Sequence, residues 1–380
     1  MTNLDVHPFT IDVPEAELDD LKDRLARTRW PDTIPDSGWT HGIDLAWTKD
    51  MAAYWRDGFD WRKQEAALNA FPQFTATLDG QSIHFIHVRS PEPNALPLIL
   101  THGWPSTFAD FAEMIGPLTD PRRHGGDPAD AFDVVVPSLP GFGFSGPTQE
   151  PGWDSARIAK AWDTLMHGLG YPHYVAHGGD VGSFVTRQMG IAQPEGLLAI
   201  HVLEIWAYPT GAPGELDDLT DTEKNRLTFM AEFNDHSSHQ RVHQTRPLTL
   251  AYGLTDSPVG QLAWINDPLM GLGRFAPPEP RDRDVLLTNT SIYWFTKTAG
   301  SSARWYFEDA RSGAGDAETP NPAPTGVALF PYNFQSVRTI AERANNIVHW
   351  STYERGGHFA ALDVPDLLVG DLRQFFRHYR

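Results

Sequence analysis

The feature that most constrains this chain is the heptapeptide His177-Gly178-Gly179-Asp180-Val181-Gly182-Ser183. Before it, His173 to Ala176 reads as a short buried strand. After it, Val181, Phe184, Val185, Gln188 and Met189 recur at helical spacing with mostly apolar character. A strand that becomes a helix within two residues must strain its apex. Small residues two positions before and after the apex let neighbouring chain segments approach, and Gly178 and Gly182 occupy those places. This is the layout of a nucleophile elbow, with Asp180 at the apex where an esterase would carry Ser. The competing reading is a Gly-rich turn whose Asp caps the following helix.

An apical Asp changes the chemistry. A serine alkoxide suits attack on an acyl carbonyl, whereas a carboxylate can displace a leaving group at a saturated carbon and form an alkyl ester. The substrate should carry an electrophilic sp3 carbon, as in an epoxide or an alkyl halide. Two further motifs fit. His102-Gly103-Trp104-Pro105 follows a strand, so the backbone N–H of Trp104 and that of Val181 could form an oxyanion hole. His358, in Arg355-Gly356-Gly357-His358-Phe359, comes last in the order nucleophile, acid, histidine, and would take a proton from the water that attacks the ester.

The rest of the chain supplies a scaffold. From Phe74 to Leu78 and Ile83 to Val88 a hairpin is expected around Asp79-Gly80; strands follow at Pro97 to Thr101, Phe132 to Val136 and Leu197 to Leu203, with a helical stretch near Phe108 to Leu118. Such alternation predicts an α/β fold, a mostly parallel sheet with helices on both faces. Ligands bind such sheets beyond the carboxyl ends of the strands, where Asp180 sits. Residues 1–80 read as an N-terminal extension packed on the core, with Leu18, Leu21 and Leu25 as one helical stripe and Trp47 to Trp61 as a second helix. Residues 81–207 form the first part of the core, 208–320 a helical, aromatic cap inserted between the sixth and seventh sheet segments, and 321–380 the second part. The Pro-rich Thr319 to Pro324 reads as a loop, and a closing helix follows Pro365.

Composition narrows the function further. A net charge of -19 argues against nucleic acid and anionic membranes. Zero cysteines exclude disulfides and Cys metal sites, and none of the 16 His lies in a HExxH-like pair, so no metal or other cofactor is expected. Without an apolar run of membrane length or a signal-like N-terminus, a cytoplasmic protein is the simplest expectation.

The segments HGWPS, LPGFGFSGP, GGDVG, TDSPVG and RGGHFAA resemble the microsomal-type epoxide hydrolases of the α/β-hydrolase fold, and Phe9 to Pro31 is similar to that family's N-terminal region. The resemblance spans essentially the whole chain. It implies hydration of an epoxide to a vicinal diol through an ester on Asp180, with His358 as base and no cofactor. The aromatic cap favours an apolar epoxide, with water as the second reactant; a homodimer is a candidate assembly, and detoxification or secondary metabolism a candidate role. Two positions depart from the pattern. The family's acid is usual after Phe-Pro, where this chain has Asn333; Glu204, ending the sixth strand, is the expected acid, paired with His358. Of the two family tyrosines that donate to the epoxide oxygen, Tyr306 matches one and His239 stands at the other, either as a second donor or in a cap loop without catalytic duty. The rival readings are a haloalkane dehalogenase using the same Asp180, Glu204 and His358, and a non-catalytic ligand-binding relative. Dehalogenases generally place a halide-binding Trp beside the nucleophile, where this chain has Val181.

Overall fold

The computed structural model describes residues 4–271 and 280–380. Residues 272–279, which fall within the expected cap, and the first three, which belong to the expected N-terminal extension, lie outside the described residues.

Nine strands form one sheet among the described residues: β1 (Val6–Phe9), β2 (Gln73–Leu78), β3 (Gln81–Val88), β4 (Leu96–Thr101), β5 (Phe132–Pro137), β6 (Tyr174–Gly178), β7 (Leu197–Val202), β8 (Asn321–Leu329) and β9 (Asn345–Thr352). Their order is β1-β2-β3-β5-β4-β6-β7-β8-β9. The β1-β2, β2-β3 and β3-β5 pairs are antiparallel, and every pair from β5 onward is parallel. β4, β5 and β6 are buried along almost their whole length, as parallel strands covered on both faces must be. The carboxyl ends of β4, β6 and β7 therefore deliver Thr101, Gly178 and Val202 side by side, and the site is built on the residues that follow them.

Three local expectations needed correction. The N-terminal extension contributes β1, which pairs Val6 with Ala76 and Pro8 with Phe74 at the sheet edge, where a missing N–H is tolerated. The stretch Trp47 to Trp61 is two helices, Leu45–Asp57 and Trp61–Leu68, separated at Gly58 and capped by the side chains of Asp44 and Asp60. Of the Pro-rich segment, Thr319 and Pro320 lie in a loop, but Asn321 to Pro324 belong to β8. Its register shifts between Asn321 and Thr325, and the Asn321 side chain bonds Thr325 Oγ1 and the Ala323 N–H, so the prolines sit in an irregular ladder that does not need their donors.

Between β7 and β8 come six helices among the described residues, from Asp221–His236 to Ala299–Ser312. One of them, Arg283–Thr296, clamps the loop after β4: Asn289 Nδ2 donates to Pro105 O (2.7 Å) and Tyr293 Oη to Ser106 O (2.9 Å). The N-terminal helix Leu45–Asp57 holds the same helix from outside, through Trp55 Nε1 to Ser291 Oγ (2.9 Å) and Tyr54 Oη to Asp284 Oδ1 (2.8 Å). The extension thus packs on the inserted helices as well as on the sheet. Among the described residues no helix is long and apolar enough to cross a membrane.

Several core histidines are buried as neutral rings. Burial lowers His84 to about 3 and holds His87 and His102 at about 4, while unfolded histidines titrate near 6.5. Between those values the unfolded chain binds more protons, so stability falls as pH drops below 6.5. For each such ring the loss is about 1.4 kcal/mol per pH unit across that window. His358 and the carboxyls of Asp110, Glu204, Asp267 and Asp309, whose folded values are raised, contribute the opposite sign, but His177, His239 and His243 are lowered as well and add to the loss. The thermal midpoint should fall steadily from pH 7 to pH 5 in a scanning calorimeter; a flat profile would contradict the buried neutral state of these rings.

Candidate active site

The elbow is as tight as its sequence demands. Asp180 has φ 54° and ψ -123°, a strained region for a residue with a side chain, at a cost of about 1–3 kcal/mol. A Cβ on Gly178 would collide with Gly182 O, and one on Gly182 would collide with Thr101 O. Both glycines are needed for chain approach rather than for flexibility. Val181–Ala192 then runs as the helix behind the apex.

The two carboxylate oxygens of Asp180 have different surroundings. Oδ1 accepts from the Trp104 N–H at 2.7 Å, and the Val181 N–H also bonds this carboxylate. Oδ2 lies 3.2 Å from His358 Nε2. Burial opposes the charged form of Asp180, but the imidazole and the two amides outweigh it and hold the carboxyl below its ordinary value. Burial likewise opposes the imidazolium of His358, yet the hydrogen bond and charge of Asp180, with the charge of Glu204 behind, raise it above the ordinary value.

The expected direct pairing of Glu204 with His358 is replaced by a relay. His358 Nδ1 donates to Asn333 Oδ1 at 2.5 Å, and that oxygen also accepts from the Phe334 N–H at 2.7 Å. The Asn333 amide is thereby fixed with its oxygen toward the imidazole, and its Nδ2 donates to Glu204 Oε2 at 2.8 Å. Glu204 Oε1 accepts from Ser183 Oγ at 2.9 Å and from the N–H of Asp180 itself. The physical reason is position. Glu204, 1% exposed at the end of β7, lies against the elbow backbone, and the residue after Phe330-Pro331-Tyr332 stands between it and the imidazole. Burial pushes the Glu204 carboxyl up, offset in part by the charge of His358 and the Asn333 amide. The Phe-Pro context already marked Asn333 as the place of the missing acid; what the sequence did not reveal is that the amide links the two candidates.

On the other side of Asp180 lies a cavity of about 370 Å³, lined by Val181, Phe184, Trp206, Trp305, Tyr306 and others. Tyr306 Oη is buried there without a protein partner among the described residues. Burial and the charge of Asp180 hold its phenol well above 10, so it stays protonated. His239 stacks on the Trp104 ring (centroids 4.9 Å, 26°) and lies 6.1 Å from the Tyr306 ring, but it is not among the residues that line the cavity. Burial lowers it to about 4, so it is a neutral ring near pH 7. Sequence reasoning missed its neighbour His243, which accepts from Trp264 Nε1 at 3.0 Å and packs edge-on against Trp104 at 4.6 Å. Five of the predicted residues, Asp180, Trp104, Val181, His358 and Tyr306, therefore converge directly, Glu204 one residue further back, and His239 against the rings of Trp104 and Tyr306, close enough to feel the charges of Asp180 and His358.

The family comparisons agree with this geometry. The family model described as "Epoxide hydrolase N terminus" matches residues 6–111, and that described as "alpha/beta hydrolase fold" matches residues 97–236. A protein of Stigmatella aurantiaca is 44% identical over 99% of this chain and 86% of its own. Epoxide hydrolase 1 of Sus scrofa is 32% identical, covering 97% of this chain and 88% of that protein. The structure of Aspergillus niger epoxide hydrolase superposes with a TM-score of 0.88 at 31% identity, over 99% of this chain and 97% of that one. An apical carboxylate poised for a saturated carbon, a histidine beside it and relatives of this similarity along nearly the full length lead to one assignment: the chain belongs to the epoxide hydrolases of the α/β-hydrolase fold.

Proposed function

We propose that Asp180 Oδ2 opens the epoxide and that His358 then hydrolyses the resulting ester, with Tyr306 as the acid. The observation that carries this reading is the split environment of the Asp180 carboxylate. Oδ1 accepts from the Trp104 N–H, the Val181 N–H also bonds the carboxylate, and Oδ2 faces the imidazole. Attack through Oδ2 forms the C–O bond of an alkyl ester while the epoxide C–O bond breaks. The leaving alkoxide takes the phenol proton of Tyr306. Alkylation removes the charge of Asp180, and with it the main interactions that raise His358. The imidazole can then give up its proton, which restores the phenol through solvent.

Neutral His358 next takes a proton from water, and the hydroxide attacks the ester carbonyl. The oxyanion develops on Oδ1, which the Trp104 N–H already holds, with the Val181 N–H on the same carboxylate. Collapse expels the diol alkoxide, which is protonated by His358, and Asp180 is regenerated with one oxygen from water. Neutral His239 can offer a hydrogen bond to the ring-opening oxygen but is a far weaker acid than a phenol, so proton delivery falls to Tyr306. The aromatic walls favour an apolar epoxide.

Glu204 is a positioning residue in this scheme, acting on His358 through Asn333. Glu204→Gln should lower kcat by about 10- to 100-fold, because the imidazolium loses a nearby charge. The sign of the pH effect separates this role from a structural one. Glu204 raises His358, so its neutralisation should move the acid limb of the kcat profile to lower pH. A profile unmoved from wild type, or moved to higher pH, would contradict the relay.

A further inference from the structure

The loop that carries His358 is anchored on both sides of the imidazole. Before it, Gly357 bridges to Tyr332, and the His358 N–H donates to Tyr332 O at 3.1 Å. After it, the chain forms one helical turn, Ala360–Asp363, with Phe359 at its N-cap. That turn is gripped from outside by Arg281. Its Nε and Nη2 donate to the two carboxylate oxygens of Asp363, at 2.8 and 2.9 Å. Its guanidinium also lies 5.1 Å from the Phe359 ring centroid. Both members of the ion pair are buried, their side chains 9% and 6% exposed. One planar cation thus holds the turn at its two ends, by the ring next to His358 and by the closing carboxylate.

Arg281 stands two residues before the helix Arg283–Thr296, which clamps the loop after β4 through Asn289 and Tyr293. That loop presents the Trp104 N–H to Asp180 Oδ1, and His358 lies at Oδ2. The same helix is therefore tied to both sides of the reacting carboxylate. Beside it, His358, Phe359 and Ala360 share with Asp180 and Asp110 a cavity of about 30 Å³, room for a water. A shift of the turn would change both the reach of the imidazole and this space. An exposed ion pair would contribute little here, but a buried bidentate one fixes geometry.

We propose that Arg281 is a positioning residue for the hydrolytic half of the cycle, clamping the turn after His358 to the helix that holds the oxyanion loop and so fixing the imidazole against the ester carbonyl. The inference rests on the mechanism above, in which ring opening uses Asp180 and Tyr306 and only ester hydrolysis uses the neutral imidazole. Charge gives the role a signature. Burial opposes the imidazolium of His358, Asp180 and Glu204 favour it, and Arg281 opposes it. Of the other groups nearby, Asp363 partly neutralises Arg281, His239 is a neutral ring, and burial pushes the Asp110 carboxyl up to about 7.

The test follows single turnovers of styrene oxide by stopped-flow fluorescence and rapid-quench mass spectrometry. In Arg281→Met, ester hydrolysis should slow by about tenfold while ester formation stays within about twofold of wild type. The acid limb of the hydrolysis rate should move to higher pH, because a charge that lowers His358 is gone. Asp363→Asn should also slow hydrolysis but move the limb to lower pH, since Arg281 then lacks its counter-charge. Removing one partner of a buried pair can unfold the turn, so the double variant Arg281→Met, Asp363→Leu is measured beside them, its apolar side chains preserving the packing. It too should form the ester normally and hydrolyse it slowly. Hydrolysis at the wild-type rate in the double variant would overturn the proposal, because the pair would then serve stability alone. So would formation and hydrolysis slowed alike in Arg281→Met, or acid limbs that stay in place or move the same way in the two single variants. Failure of the covalent mechanism is distinguishable: His358→Gln would then form no ester.

Discussion

His358→Gln will retain ring opening and lose turnover, with steady-state kcat falling by about 10³- to 10⁴-fold. The glutamine keeps a polar group beside Asp180 but cannot take a proton from water. Ring opening needs Asp180 charged and Tyr306 protonated, and both conditions survive the substitution. Tyr306 stays protonated because burial and the charge of Asp180 raise its phenol. Asp180 loses the imidazole that lowers it, but the N–H groups of Trp104 and Val181 still bond its carboxylate. Stopped-flow kinetics should show one fast turnover followed by near-arrest. A uniform slowing of both phases would place the histidine in the first step instead.

Tyr306→Phe will produce the opposite pattern. Without the phenol the alkoxide leaves unprotonated into a buried aromatic cavity, and the rate of ester formation should fall by about 10²- to 10³-fold. Hydrolysis of the ester should proceed nearly as in wild type, because the amides of Trp104 and Val181 and the His358–Asn333–Glu204 relay lie on the other side of the carboxylate. No burst should appear, and no ester should accumulate. The residual ring opening measures what the N–H of neutral His239 supplies. A burst retained at wild-type rate would remove Tyr306 from the reaction. The paired phenotypes, one variant blocked after the ester and one before it, distinguish the two halves of the cycle more sharply than either loss alone.

The parts of this site that were legible in the sequence are those in which local chain geometry dictates residue type. Gly178 and Gly182 are forced by backbone approaches that leave no room for a Cβ, so the elbow is written in the glycines around Asp180. The strands are also local: β4, β5 and β6 are short apolar runs because they are covered on both faces. What escaped depends on partners distant in sequence. Strand β1 is four residues long and contains Pro8, and only its pairing with β2 makes it a strand. The prolines of β8 read as a loop until Asn321 and Thr325 satisfy each other across the irregular register. Glu204 and Asn333 were visible as rivals for one role, but their link is a contact across 129 residues that no local pattern encodes. The position of His239 against Trp104 and Tyr306 is likewise fixed by the packing of the Ser238–Thr245 helix on the loop after β4.

The measurement that bears most directly on the covalent mechanism is intact-protein mass spectrometry of the His358→Gln variant incubated with styrene oxide. A single mass increase equal to that of the epoxide is expected, located by peptide mapping on the segment that contains Asp180 and abolished in the Asp180→Asn, His358→Gln double variant. An unmodified mass in the variant, or an adduct that persists when Asp180 is replaced, would contradict the covalent ester.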